Sequence, residues 1–249
     1  MLTSGAGQGG HELNGFLLEL YGYLASVVNI TANTDWDYHS VIFDPYTHAL
    51  EAYRDSKMYG SMFGCAQELI ELIPSICTLG YRRLHQESDK DYSFEATTLY
   101  ESLESKIQKW RAPQSASNDE LIGAKIYQQA ILIFLHASFY GTKFYDPILL
   151  SLLDTTIEPL FEFIHAMTED SPIKTTMLWP CMVIGSCILN PEHRTFIRHL
   201  MLGSQYNMLI TSRALQILEW LWEEDPSYAY GPYGLGLVMK KHNITHCMS

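Results

Sequence analysis

The sequence predicts an all-α protein, an irregular multi-helix bundle of about eight helices in a single domain. Three observations predict it. Apolar residues recur at three- and four-residue steps in segment after segment, the spacing of one helical face. Helix start signals separate these segments, as at Ser117 with Glu120 and at Asn190-Pro191. Strand signals are scarce, and the chain has no internal repeat.

Leu13, Phe16, Leu17, Leu20, Leu24 and Val27 form the first stripe. A polar connection from Asn29 to Ser61 follows, with Asp44-Pro45 as a turn. Helical spacing resumes at Phe63, Ala66, Leu69, Ile70 and Ile73, then meets Pro74, which lacks a backbone donor. The expectation there is a kink or two helices in series, with Ile76, Cys77 and Leu84 continuing the stripe. Residues 85–92 read as a charged loop. Leu99, Leu103, Ile107 and Trp110 mark the next helix, ending near Pro113.

Ser117 and Glu120 have capping-box spacing and start a helix that runs to about Tyr140. From Ala130 to Leu135 it is apolar on every side, which places it centrally. A further helix over Ile148–Met167 turns Leu149, Leu153, Ile157, Leu160 and Ile164 inward and carries Pro159 inside it. Met177–Leu189 is short and almost wholly apolar. Asn190 as cap, Pro191 at the first position and Glu192 in the first turn begin its successor. Ile210, Ala214, Ile217, Leu218 and Leu221 define the last long helix. Residues 1–10 read as a flexible N-terminus, 11–225 as the helical domain and 226–249 as a Gly/Pro/Tyr-rich C-terminal tail, broken by an apolar stretch at Leu235–Met239.

Composition then narrows function. Of 249 residues 47% are hydrophobic, enough for a sizeable core and too many for a disordered chain. Against 28 acidic residues stand 16 basic ones, a net charge of −12, and no basic run interrupts them. Such a surface repels phosphate backbones, so no DNA-binding residue and no direct nucleic-acid contact are expected. The apolar stretches are too short or too often interrupted by Asp154, Glu158 and Glu162 to span a membrane. The five cysteines, Cys65, Cys77, Cys181, Cys187 and Cys247, are odd in number and scattered, as reduced thiols are.

The sequence holds no chemical constellation of a known catalytic or metal-binding kind. The metal triads of a helical terpene synthase are missing: Asn118-Asp119 begins like one, but Ile122 stands where a hydroxyl ligand belongs. His242, His246 and Cys247 lie close together without a fourth ligand, and a chance cluster on a loose tail explains them better. His193 and His199 fall on different helical faces, while His136 and His165 sit in apolar helices as hydrogen-bonded core histidines do. Gly185-Ser186-Cys187 lacks the strand-turn-helix setting of a nucleophile, and no glycine-rich phosphate loop is present. No catalytic residue and no metal ligand is expected. The surplus of 16 Tyr, 10 Phe and 10 Met fills cores by default, but such residues also line adaptable apolar pockets. If a hydrophobic ligand is bound, its cavity is expected around Phe134, Met182 and Trp220.

Two segments carry a resemblance. Gly64-Cys65-Ala66-Gln67-Glu68-Leu69-Ile70-Glu71-Leu72-Ile73, followed by Ile76, Leu79 and Arg83, resembles a glycine-led, leucine-rich helix closing on arginine in the regulatory region of fungal zinc-cluster transcription factors. Leu178-Trp179-Pro180, then Ile184-Gly185-Ser186-Cys187 and Arg194, is similar to that family's late Trp-Pro segment. Trp110 with Pro113, and Leu215 to Trp222, sit in the expected order, so the resemblance runs over roughly Leu13 to Glu224. It implies an all-helical effector region acting in nuclear transcription, with a secondary-metabolite or lipid and sterol pathway under its control. Its partners would be the transcription machinery or a DNA-bound regulator. In relatives such as the yeast sterol-uptake regulators such a domain senses a hydrophobic ligand, and a stand-alone small-molecule binding module is the alternative. The family's DNA-binding module needs six cysteines in two Cys-x2-Cys-x6-Cys halves, a spacing these five do not have. Zinc would belong to that module, so no cofactor is expected here, and the chain reads as starting partway into the regulatory region.

Overall fold

The computed structural model describes residues 17, 65–84, 93–141, 146–167, 171, 174, 176–203 and 209–244. Among these residues every regular element is helical. In chain order they are α1 (Gln67–Ile70), α2 (Ile73–Leu84), α3 (Phe94–Lys109), α4 (Asn118–Tyr140), α5 (Pro147–His165), α6 (Leu178–Cys187), α7 (Pro191–Leu202), α8 (Leu209–Glu223) and α9 (Gly231–Lys241).

The axis of the bundle is α4, 23 residues and so about 34 Å long. It touches α1, α2, α3, α5, α6 and α9, and from Ala130 to Ala137 every residue but Leu132 is buried. The capping box is present: Ser117 Oγ accepts the Glu120 N–H at 3.3 Å while the Glu120 carboxylate accepts the Ser117 N–H at 2.7 Å. Asn118-Asp119 is therefore a capped helix start. At the far end the Gly141 N–H reaches the Ala137 carbonyl at 2.7 Å. A Cβ on Gly141 would lie 1.9 Å from that same oxygen, so only glycine closes the helix this way.

Local chemistry sets the other starts. Ser93, Asp146 and Asn190 each accept a backbone N–H from the first turn of α3, α5 and α7, at 3.1, 2.8 and 2.9 Å. Pro147 and Pro191 follow two of these caps, where a missing donor costs nothing. Of the two outcomes expected at Pro74, the chain takes helices in series. The break falls at Glu71-Leu72, which leaves Pro74 in the first turn of α2.

Of the inward stripes of α2, α3, α5 and α8, Ile76, Leu103, Ile107, Leu149, Leu153, Ile157, Leu160, Ile164, Ala214, Ile217, Leu218 and Leu221 are buried, whereas Cys77, Leu99 and Ile210 are only partly buried. Asp154, Glu158 and Glu162 face outward from α5. No helix among the described residues is long and apolar enough to cross a membrane. Of the first stripe only Leu17 is described, and at 48% exposure it is not a core residue; the rest of that stripe, Asp44-Pro45 and the loop of 85–92 lie outside the described residues.

Two readings change. The Gly/Pro/Tyr-rich stretch does not trail off: α9 forms inside it, with Leu235, Val238 and Met239 buried against α4, α6 and α8. Pro232 lies in its first turn and Gly234 lets it approach Leu221, so residues that look like helix breakers serve as a helix start and a packing notch. His165 is the last residue of α5 and is exposed, its Nδ1 2.7 Å from the Phe161 carbonyl and its ring beside Phe196. His136 is the true core histidine, with Nδ1 2.9 Å from the Tyr100 hydroxyl.

Burial holds the His136 imidazole down at about 4, against 6.5 for an exposed ring. The unfolded chain therefore binds a proton near pH 6.5 that the folded chain refuses until about pH 4, so this group makes stability fall as pH drops through that window. The loss is about 3 kcal/mol at full extent. Urea unfolding of the wild type and of His136→Gln at pH 7.5 and 4.5 checks it: the variant should lose less stability on acidification by that order. Equal losses would show that His136 is not the group responsible.

Candidate functional site: the Trp-Pro helix and its cap

The Trp-Pro segment becomes α6, and every residue from Trp179 to Cys187 is buried. It lies against α4, α7, α8 and α9. A helix enclosed in this way has a difficulty at its C-terminus, where the last carbonyls have no intrahelical donor and no water to turn to. Three side chains from three different segments answer it. The Trp222 indole N–H donates to the Gly185 carbonyl at 2.8 Å, and the Tyr230 hydroxyl donates to the Cys187 carbonyl at 2.8 Å. Arg194 Nε donates to the Ile188 carbonyl at 3.0 Å and its Nη1 to the Trp222 carbonyl at 3.3 Å.

Electrostatics reinforce the geometry. The guanidinium of Arg194 sits at the negative end of the α6 dipole. It also lies 5.5 Å from the centre of the Trp222 ring, with Arg198 at 5.4 Å and held by Glu219 at 2.9 Å. Burial, then the neighbouring Arg198 charge, lowers the Arg194 pKa. Gly185 permits the whole arrangement: a Cβ there would meet Leu218 Cδ1 at 2.8 Å and the Ile197 side chain at 3.6 Å. Burial pushes the Tyr230 hydroxyl up, so it stays a donor.

The same solution recurs elsewhere. Arg83, buried near the end of α2, donates from Nε to the Phe139 carbonyl in the last turn of α4 at 3.0 Å, its guanidinium 5.5 Å from the Phe139 ring centre. Gln128 of α4 donates to the Ile107 carbonyl near the end of α3 at 2.6 Å, and Trp110 donates from its indole to Glu68 at 3.1 Å. Arg83, Trp110, Gly185, Arg194 and Trp222, which carry the sequence resemblance, therefore share one kind of work: closing helix ends or letting helices meet. Tyr230 and Gln128 do it too and were not anticipated, because a tyrosine in a Gly/Pro-rich stretch and a glutamine in an apolar helix give no local signal.

Chemically this is an architectural site. Its donors are spent on backbone carbonyls. The Cys181 and Cys187 thiols are pushed up to about 12 by burial and stay protonated, so they are no nucleophiles. Among the described residues no three His, Cys, Asp or Glu side chains could hold a metal. His242 stacks on Trp220 with ring centres 3.9 Å apart, whereas His246 and Cys247 lie outside the described residues. His193 lies 3.5 Å from Glu158 and against the Phe161 ring; His199 is exposed on another face of α7. The three residues expected to line a cavity are not alike: Phe134 and Met182 are buried in the core, Phe134 edge-on to Trp179, while Trp220 is only partly buried beside His242.

A family model described as fungal specific transcription factor domain matches residues 8–232, which include the whole cap. No curated protein and no solved structure matches the chain.

Without Tyr230 the buried Cys187 carbonyl loses its side-chain donor, and without Trp222 the Gly185 carbonyl keeps only the long 3.4 Å bond from the Ile188 N–H; losses of this kind cost about 1–3 kcal/mol. Trp222→Phe and Tyr230→Phe should each lower the unfolding free energy by that order, and Gly185→Ala by about 1–3 kcal/mol through the clash with Leu218. Exposed Asp154→Asn should stay within about 0.5 kcal/mol of wild type. Urea unfolding of the four variants checks the contrast.

Proposed function

The chain belongs to the fungal specific transcription factor domain family, and from that membership we propose that it is the effector region of a transcription regulator rather than its DNA-reading part. The observation that carries the proposal is the family match over residues 8–232, within which the resemblance markers converge on the buried helix ends. Charge supports the division of labour. At a net charge of −12 the chain is unsuited to a phosphate backbone, so it would reach DNA through a partner that binds it.

A rigid helical body suits such a role. Donors from α7, from α8 and from Tyr230 at the start of α9 all close on one helix, so a contact made on the surface of any of these elements is held in fixed relation to the others. The finer reading places the chain in the nucleus, working beside a DNA-bound regulator of a secondary-metabolite or lipid and sterol pathway. That family is one of transcription regulators and not of enzymes.

The test is a tethering experiment. The full chain is fused to an unrelated DNA-binding domain and a reporter is read in a fungal host, with and without lipid extract in the medium. A reporter output that departs from the unfused DNA-binding domain, and that falls with Gly185→Ala in proportion to the folded fraction, is expected. Silence of a stably expressed fusion under both conditions would overturn the proposal.

A further inference from the structure

The bonds that close α6 leave unused donors on α7. Arg194 and Arg198 stand one turn apart on that helix, and both lie over the Trp222 ring of α8, 5.5 and 5.4 Å from its centre. A guanidinium carries five N–H donors. Arg194 spends two of them, from Nε on the Ile188 carbonyl and from Nη1 on the Trp222 carbonyl. Arg198 spends one, from Nε on Glu219 at 2.9 Å. Its Nη1–Nη2 edge meets no protein group among the described residues.

Charge is unbalanced at the same place. The two guanidinium groups share one paired carboxylate, Glu219, while Glu192 and Glu223, both exposed, pair with neither arginine among the described residues. His193, the other cation-forming group on this part of α7, lies 3.5 Å from Glu158. The surplus is held in place: two carbonyls and the ring fix Arg194, and Glu219 and the ring fix Arg198. The ordering of two long side chains, which a ligand would otherwise have to impose, is therefore done by the fold. By contrast Lys106 and Lys109, exposed in the last turn of α3, have no side-chain bond to order them among the described residues. The arginine ledge faces solvent, with the Arg198 side chain 38% exposed and Trp222 half-buried. Leu189, exposed at 41%, follows the residue whose carbonyl Arg194 holds and adds an apolar neighbour. The net charge of −12 does not close this ledge to anions, because salt screens distant charges beyond about 8 Å and leaves contact to the local pair.

We propose that Arg194 and Arg198, on their Trp222 platform, bind the carboxylates of an acidic peptide segment of a partner protein. The open Nη edge of Arg198 matches a carboxylate through two parallel N–H···O bonds, and the charge of Arg194 one turn away favours a second carboxylate. An inorganic oxyanion shares the first of these contacts, but only a peptide also uses Leu189. The site deepens the effector reading and rests on it for a protein partner. Because Arg194 also closes α6, a segment bound here is attached directly to the end of the buried helix.

The full chain is titrated into a fluorescently labelled peptide of repeating Glu-Asp-Leu units, and anisotropy is read at low and at physiological salt. The comparison probes are the amide counterpart of repeating Gln-Asn-Leu units, inorganic phosphate and a single-stranded oligonucleotide. Saturable binding of the acidic peptide, weakened by salt and displaced by phosphate, is expected, with none of the amide peptide. Arg198→Gln removes no bond to a helix carbonyl and so leaves the α6 cap in place; it should weaken binding roughly tenfold or more. Lys106→Gln combined with Lys109→Gln should leave binding within about twofold. In the wild type the Arg198 Nε–H and Trp222 indole signals should shift on titration, a readout that needs no variant. Absence of saturable binding, equal binding of the amide peptide, or binding that moves neither signal would overturn the proposal. So would equal weakening by the lysine pair, a preference for the oligonucleotide, or binding of phosphate without the peptide. Peptide binding is read on the purified chain and reporter output in the cell, so this site and the effector reading fail separately.

Discussion

Burying a helix on all sides strands its last carbonyls, and this structure is organised around supplying them with donors from elsewhere. A surface helix hands those groups to water, at no cost to its neighbours. An enclosed helix such as α6 has no such outlet, and each unpaired carbonyl would cost about 1–3 kcal/mol out of a total stability of about 5–15 kcal/mol. The chain meets the demand with long side chains whose polar tips reach across a helix interface while their bodies pack: Arg83, Arg194, Trp222, Tyr230 and Gln128. Apart from the Arg194–Ile188 bond, which ties consecutive helices, these bonds join residues 21 to 56 positions apart, so the need to satisfy one helix end becomes a constraint on the placement of another.

The sequence shows local structure better than it shows these long-range bonds. Helix starts were legible because a cap is a local event: Ser117 with Glu120 and Asn190 with Pro191 each lie within one turn of the amides they serve. Buried faces were legible from three- and four-residue spacing, as in α5. Helix ends capped across the fold were not, since the partner of Gly185 is Trp222 and that of Phe139 is Arg83, both remote in sequence. The helix α9 shows the same limit. Glycine and proline disfavour a lone helix, but Gly234 faces Leu221 and Pro232 occupies a first turn, so tertiary context decides their meaning. The expected cavity residues were legible only as apolar and large; nothing local could tell the enclosed Phe134 and Met182 from Trp220 at the margin.

The two ends of α6 divide its labour. Its C-terminus is closed by the chain itself, which ties it to α7, to α8 and to the residue that begins α9. Its N-terminus packs Trp179 against Tyr127 and Phe134 of the central helix α4. A body tied together in this way holds surfaces on several helices in fixed register.

Native-state amide hydrogen exchange tests the central claim most directly. If donors supplied across the fold hold α6 in place, its amides from Cys181 to Cys187 exchange only through global unfolding, with the same opening free energy as the α4 core. Exchange of those amides through a local opening, at a free energy well below the global value and with α4 still protected, would contradict it.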